Sequence, residues 1–360
     1  MENKTNRNAT PYSQLKIFYH QDLMQNLLNG ERCNPAYIRI KPTNRCNHNC
    51  NYCHYKNAYL DLDDYSPMDE IPCEKMMEIV DDMAQMKVKA VTFSGGGEPL
   101  LYPHIEETMQ RILDAGIDLS IITNGSLLNG KKAEILAKAK WVRISIESIN
   151  DEAYCRIRGI KAGSFDSLCE NIRKFAQIKE KTCELGVNVV VSNENYTEVY
   201  KMAELMKSLG VNHVKFSPLI TNDTWDYHST FKDLVTKELN RAQDELTDEQ
   251  FKIINLYTGD FDDAVIFERQ YSRCPIKEFV CVIAANSKVY YCHDKAYLND
   301  GLVCDISQKS FKESWESEEV TKNFKEFDAK KCCKQHCVYD SRNVLINSFL
   351  DMDKNHINFI

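Results

Sequence analysis

The chain has no apolar run approaching the length of a membrane span. Its start, Met1-Glu-Asn-Lys-Thr-Asn-Arg-Asn-Ala-Thr10, is polar and offers no signal-peptide core. Positive charge is in deficit: 45 Lys and Arg stand against 53 Asp and Glu, for a net charge of −8. That balance argues against a general nucleic-acid binder, which needs a basic stripe to neutralise phosphates. Pairs such as Lys131-Lys132 and Lys330-Lys331 are short and read as solvated faces. No export signal accompanies the 15 cysteines, an odd number. Disulfides are therefore not expected, and a reducing cytoplasm is the expected compartment. What the chain does have is 43% hydrophobic content over 360 residues, enough for a large core and two domains.

A fourth cysteine is also missing beside the first three. Cys46, Cys50 and Cys53 fall at C-x3-C-x2-C just after the strand-like run Tyr37–Lys41. A structural zinc site would want four ligands and would close itself. Three thiolates on one loop instead suit a cubane iron–sulfur cluster with one iron left open. His48 and His54 stand close enough in sequence to be considered as further ligands. About forty residues on, Val91-Thr-Phe-Ser-Gly95-Gly96-Gly97-Glu98-Pro99 again follows a strand-like run. Glycines there admit close backbone approach to a ligand.

From Tyr37 onward short strands alternate with amphipathic helices, as in βαβ units. The expected strands are 37–41, 89–93, 118–123, 141–146, 186–191 and 213–216. The expected helices are 70–85, 104–115, 131–139, 165–178 and 196–208, with Gly116 and Gly210 as C-terminal caps. Residues 1–36 read as a helical lead-in and 231–270 as a charged helical connector. Residues 271–345 read as a cysteine-rich unit and 346–360 as a tail.

In these motifs and their order, Tyr37 to about Phe216 resembles the radical S-adenosylmethionine (radical SAM) superfamily. That resemblance implies an α/β fold, a partial (β/α)6 TIM-type barrel, with ligand chemistry at the C-terminal strand ends. It implies that Cys46, Cys50 and Cys53 hold a 4Fe-4S cluster whose open iron chelates S-adenosylmethionine (SAM). Around SAM it places Tyr52, Gly96, Gly97, Glu98, Asn124, Ser145, Glu147 and Arg158. Ser145 and Glu147 alternate along a strand and so share a face. The family often has Asp at the position of Glu147. Arg158 resembles the arginine that pairs with the methionyl carboxylate.

The second cysteine set resembles the twitch domain, a shortened relative of the SPASM domain, and implies an auxiliary 4Fe-4S cluster. Its ligands on that resemblance are Cys274, Cys292, Cys333 and Cys337. Cys332 is an alternative to Cys333, and Cys281 to Cys274. A glycine is usual five residues before the second ligand, where this chain has Ser287. Four cysteines suit zinc as well, so a zinc knuckle is the competing reading.

The expected function is oxidation, or epimerisation, of a small polar molecule such as a sugar or aminocyclitol. Cys281, Cys304 and Cys332 are candidate hydrogen donors, and a flavodoxin or ferredoxin is the expected reductant. Trp225 and His228, in the loop 221–228, are expected to line the substrate pocket. A peptide-modifying maturase is the alternative. A zinc-stabilised binding protein is the alternative of another class.

Overall fold

A computed structural model of the chain describes residues 13–56, 62–221, 223–258, 268–334, 336–355 and 357–359. Residues 1–12 of the lead-in, Asn222 of the pocket loop and 259–267 of the connector lie outside the described residues. So do Gln335 of the second cysteine loop and His356 and Ile360 of the tail. Among the described residues no helix is long and apolar enough to cross a membrane.

A short 3-10 helix, Gln14–Tyr19, and α1 (Gln21–Asn29) lead into the barrel. Six parallel strands then form in the expected order: β1 (Tyr37–Ile40), β2 (Ala90–Phe93), β3 (Asp118–Thr123), β4 (Trp141–Ser145), β5 (Glu184–Val191) and β6 (His213–Pro218). The helices between them are α2 (Cys73–Gln85), α3 (Ile105–Asp114), α4 (Gly130–Leu136), α5 (Asp151–Arg158), α6 (Ser164–Ile178) and α7 (Val199–Ser208).

The strands alternate in character although the sheet is parallel. Ile38, Ile40, Val91, Phe93, Leu119, Ile121, Val142 and Ile144 are fully buried against the helices. Met76, Ile79, Met83, Met109, Ile112, Leu168, Ile172 and Phe175 of α2, α3 and α6 complete that core. The other face is polar. In register it carries Arg39, Thr92 and Ser120, then Arg143, Ser145, Asn188 and Lys215. Parallel strands buried on both faces usually read as continuous apolar runs. Here the period of two marks a polar lumen inside the partial barrel.

Two elements lie outside the expectation. β7 (Lys252–Asn255) pairs parallel with β6, after α8 (Thr224–Ser229) and α9 (Lys232–Leu246). The stretch read only as a helical connector thus returns a strand to the sheet, by a further strand–helix–strand crossover. Helix α5 also gave no periodic signal, being only eight residues long. Local caps define it: the Asn150 side chain accepts from Ala153 N (2.9 Å), and Gly159 ends it at φ +59°.

The second cysteine region continues the same sheet. β8 (Val280–Ile283) pairs parallel with β1, from Tyr37↔Val280 to Ile40↔Ile283. β9 (Lys288–Tyr290) and β10 (Leu302–Asp305) follow antiparallel. The order is β10-β9-β8-β1-β2-β3-β4-β5-β6-β7, so β1 connects the two cysteine-bearing regions.

The tight turn between β8 and β9 places Ser287 at φ +57°, where glycine is usual in the resembling family. A side chain in the left-handed region costs about 1–2 kcal/mol. Glycine removes that strain but loses more chain entropy on folding. Ser287→Gly is expected to raise unfolding stability by about 0.5–1 kcal/mol, read by anaerobic urea denaturation.

Candidate functional site

The first cysteine loop leaves β1 at its C-terminal end and is held from two sides. On one side is the glycine turn: Gly97 N donates to Thr43 O (3.0 Å), and Glu98 N to Arg45 O (2.9 Å). On the other is the end of α5: Asn49 N donates to Arg158 O (2.8 Å), and Asn51 N to Ile157 O (3.0 Å). Both grips need glycine. A Cβ on Gly97 would lie 2.0 Å from Arg45 O, and one on Gly96 1.9 Å from Asn44 Oδ1. A Cβ on Gly159 would lie 2.7 Å from Asn49 O. The close approach that the glycine turn permits is therefore to the cysteine loop itself.

Glu98 is enclosed by protein donors. Its Oε1 accepts from Leu100 N (3.0 Å) and Thr123 Oγ1 (2.6 Å), and its Oε2 from Asn124 N (2.7 Å). Burial pushes this carboxyl up, and those donors pull it back down. Glu98 thus clamps the glycine turn to the end of β3. Asn124 in turn donates through Nδ2 to Asn47 Oδ1 (2.8 Å), reaching the cysteine loop.

Within the loop the thiols are neighbours. The Cys50 charge bears on Cys46, and the Cys53 charge on Cys50, while burial raises both Cys46 and Cys50. Arg158 Nη1 lies 3.6 Å from Cys50 Sγ, and Nη2 pairs with Glu147 Oε2. This ion pair is almost wholly enclosed. The guanidinium also lies 5.7 Å from the centre of the Tyr52 ring. Burial pushes the Glu147 carboxyl up, and Arg158 opposes that rise. Ser145 closes β4 in register with Asn188, on the lumen face.

A buried ion pair is costly to break from one side. Arg158→Ala is expected to lower stability by about 3–5 kcal/mol, because the buried Glu147 carboxyl loses its countercharge. Adding Glu147→Gln to that variant should recover part of the loss, since the stranded carboxylate is gone. Anaerobic urea denaturation of the single and double variants measures both effects.

Neither nearby histidine is placed as a fourth ligand. The His48 ring packs edge-on to Tyr154 (6.3 Å), and His54 edge-on to Tyr55 (5.2 Å). Burial, then Arg158 and Lys56, push His48 down to about 4. Among the described residues, four buried polar atoms around this end of the barrel have no hydrogen-bond partner: His48 Nδ1, Ser94 Oγ, Glu147 Oε1 and Arg158 Nε. Buried polar atoms are rarely left so, and a polar ligand would satisfy them.

The second set also converges. Cys274, Cys333 and Cys337 all bear electrostatically on Cys292, and Cys274 on both Cys333 and Cys337. Cys274 Sγ also lies 3.6 Å from Asn343 Oδ1 on the helix Asp340–Leu350. Cys332 adjoins this group, and its carbonyl accepts from Lys295 Nζ (2.6 Å). Cys281 lies elsewhere: it pairs in register with Ile38, on the helix-facing side, and its thiol neighbour is Cys304. As a lumen hydrogen donor Cys281 is therefore corrected, since the sheet separates it from the lumen. Tetrahedral zinc, with Zn–S about 2.3 Å, would set sulfurs roughly 3.8 Å apart. Among the described residues neither cysteine set brings three ligand atoms within 4.8 Å of one another.

Lys41 connects the two regions, a role with no motif to announce it. It is fully enclosed at the end of β1, and its Nζ contacts Tyr55 OH (2.5 Å), Gly95 O and His293 Nδ1 (3.3 Å). His293 directly follows Cys292. The alternation Tyr37-Ile-Arg39-Ile-Lys41 was the available signal, since it places Lys41 on the lumen face.

The expectation for the pocket loop is corrected at His228. That side chain is fully buried, with Nδ1 3.0 Å from Tyr257 OH and Nε2 3.0 Å from Leu219 O. Both ring nitrogens are occupied by the protein, so His228 packs the end of β6 and does not face a substrate. Trp225 is 50% exposed, with Lys232 Nζ 4.3 Å from its ring centre. A cleft of about 750 Å³, lined by His20, Arg32, Ala36 and Lys89, lies at the opposite, N-terminal end of β1 and β2.

Residues 40–206 match the radical SAM superfamily. This segment is a radical SAM domain. A cofactor-modifying protein for tungsten-containing aldehyde ferredoxin oxidoreductase, from Pyrococcus furiosus, is 27% identical over 195 residues, covering 51% of each chain. A GTP 3′,8-cyclase of Limosilactobacillus fermentum is 30% identical over 190 residues, 51% of this chain and 54% of that one. The chain spans about half the length of the curated relatives it matches. Among solved structures, Streptococcus suis SuiB bound to S-adenosylmethionine superposes with TM-score 0.59 at 15% identity, over 86% of this chain and 72% of SuiB. Native anSMEcpe with bound AdoMet gives TM-score 0.56 at 18% identity, over 88% of this chain and 96% of that one. Both show the same fold. Radical SAM proteins use a 4Fe-4S cluster and S-adenosylmethionine, and the loop thiols and unpartnered groups here fit that pair. The cysteine-rich C-terminal region is consistent with an auxiliary cluster.

Proposed function

We propose that the chain is a radical SAM oxidoreductase that oxidises a small polar molecule with the help of an auxiliary 4Fe-4S cluster. The observation that carries this reading is the convergence of Cys274, Cys292, Cys333 and Cys337 beside the radical SAM domain. Four thiolates close a cluster completely, so it cannot chelate SAM but can still change redox state. When bound, the first cluster supplies the electron that cleaves SAM, and the second is an acceptor for an electron from the substrate.

The chain's own residues would then act as follows. Cys46, Cys50 and Cys53 hold the first cluster and leave one iron open. Arg158, 3.6 Å from Cys50 Sγ, donates toward that thiolate and fixes Glu147 beside it. Glu98 and Asn124 lock the glycine turn and the cysteine loop together, so the ligand end of the barrel is preorganised. The Tyr52 hydroxyl hydrogen-bonds the Glu147 carboxylate and its ring lies 5.7 Å from the Arg158 guanidinium. A flavodoxin or ferredoxin is the reductant this chemistry calls for.

Of the candidate hydrogen donors for epimerisation, Cys281 lies behind the sheet, with Cys304 as its thiol neighbour, which leaves Cys332. The names of the relatives favour a small molecule, since one acts on GTP and another is a heme synthase. SuiB has been seen with a precursor peptide, but at 15% identity that likeness concerns the fold.

The test is anaerobic iron and sulfide counting on the wild type and on Cys333→Ala/Cys337→Ala. About eight irons per chain are expected in the wild type and about four in the variant. The variant should still form 5′-deoxyadenosine from SAM yet fail to oxidise substrate. Full iron content in the variant, or substrate oxidation at the wild-type rate, would overturn the reading.

A further inference from the structure

The lumen face is rich in positive charge within a chain of net charge −8. Arg39 on β1, Arg143 on β4 and Lys215 on β6 all point to that face by strand register. Of the carboxylates nearest the lumen, Glu147 pairs with Arg158, and Glu184 shares a hydrogen bond with His213 Nδ1 (3.1 Å). Asp294 bears on Arg39 and Lys41, and accepts from Val338 N (3.1 Å). Among the described residues, neither Arg39 nor Arg143 stands in a salt bridge.

Arg143 is half-buried on this face. Its guanidinium lies 5.7 Å from the Trp141 ring centre, and among the described residues its buried Nε has no hydrogen-bond partner. Arg39 Nε donates to Tyr37 OH (3.2 Å), which donates on to Thr92 Oγ1 (2.8 Å). The charges of Lys41, Arg39 and Arg143 all bear on His293, and by strand register Arg39 and Arg143 stand on the same lumen face. Lys41 is a lesser source of charge, because burial and then Arg39 push it well below the ordinary amine range. The guanidiniums remain charged at any working pH.

We propose that this lumen binds a small anionic substrate, whose carboxylate or phosphoryl group is held between Arg143 and Arg39. The inference rests on the lumen being the substrate chamber of the proposed oxidoreductase. A planar guanidinium fork matches either group in two-point fashion. A carboxylate or phosphoryl oxygen would satisfy Arg143 Nε and bring negative charge to a face where neither arginine has a salt-bridge partner. An aminocyclitol, whose ammonium would meet the same two cations, is disfavoured, and an uncharged sugar leaves them unbalanced. The acidic exterior attracts no anion, so the attraction is confined to a ligand small enough to enter.

The experiment is calorimetric titration of the anaerobic holoenzyme, clusters intact and SAM saturating, at low ionic strength. Malonate and inorganic phosphate are titrated separately. One saturable anion per chain is expected, weakened at least tenfold in Arg143→Gln and in Arg39→Gln. Arg173→Gln, on the exposed outer surface of α6, should bind like the wild type. Tighter malonate binding assigns a carboxylate substrate, and tighter phosphate binding a phosphorylated one. Iron content and far-ultraviolet circular dichroism of each variant confirm that cluster and fold are retained. No saturable binding to the wild type, or equal binding by both lumen variants, would overturn the proposal. Formation of 5′-deoxyadenosine by the wild type is measured separately. Its absence would defeat the radical SAM reading and leave the anion result standing on its own.

Discussion

Replacement of Cys46, Cys50 and Cys53 together by alanine is expected to reduce 5′-deoxyadenosine formation to background. About four irons per chain should remain, all in the second cysteine set. The reason is spatial separation of the two donor groups. The first three thiols neighbour one another and Arg158, whereas Cys274, Cys292, Cys333 and Cys337 neighbour one another and Asp294. The loop with the first set is anchored through backbone bonds to the glycine turn and α5, so removing its thiols should leave the chain folded. Anaerobic SAM turnover with dithionite and an iron count decide the matter. Retained SAM cleavage in the triple variant would reject these residues as the holders of the catalytic cluster.

Gly97→Ala is expected to be nearly as damaging without touching a thiol. The added methyl would lie 2.0 Å from Arg45 O and 2.5 Å from Arg45 C. Backbone cannot yield as a side-chain tip can, so the cysteine loop must move away from β2. That movement breaks the Gly97 N to Thr43 O and Glu98 N to Arg45 O bonds, and carries Cys46 with it. Overpacking of this kind costs about 1–3 kcal/mol, and here the strain falls on a cluster loop. The expected result is at least a tenfold loss of SAM cleavage with incomplete iron incorporation. Gly95→Ala is the control: its Cβ would meet Gly97 O at 3.3 Å, close enough for a small local shift to absorb. Equal activity of the two variants would show that the turn does not position the loop.

Much of this architecture was legible along the chain. The period of two in Tyr37-Ile-Arg39-Ile-Lys41 and in Trp141-Val-Arg143-Ile-Ser145 marks strands with one apolar and one polar face. The structure puts the apolar members in the core and the polar ones in the lumen. Other parts left no such trace. Helix α5 is short and defined by caps, and β7 is four residues beside a long charged helix. His228 looked like a pocket residue because loops near strand ends often carry function. Its bonds to Tyr257 and Leu219 come from residues 29 and nine positions away, which no local pattern records.

The chain by itself determined the type of domain. Three cysteines at C-x3-C-x2-C, a glycine turn one strand later and alternating strands and helices are local features, set by neighbours in sequence. They specify which donors exist and at which strand ends they emerge. Only the tertiary structure decided what those donors face. The Glu147–Arg158 pair, the grip of Gly97 on Arg45, the Lys41 link to His293 and the shared lumen face of Arg39 and Arg143 all join residues distant along the chain. Charge and close packing act through space, so their partners are settled only when the parallel strands fall into register around one lumen.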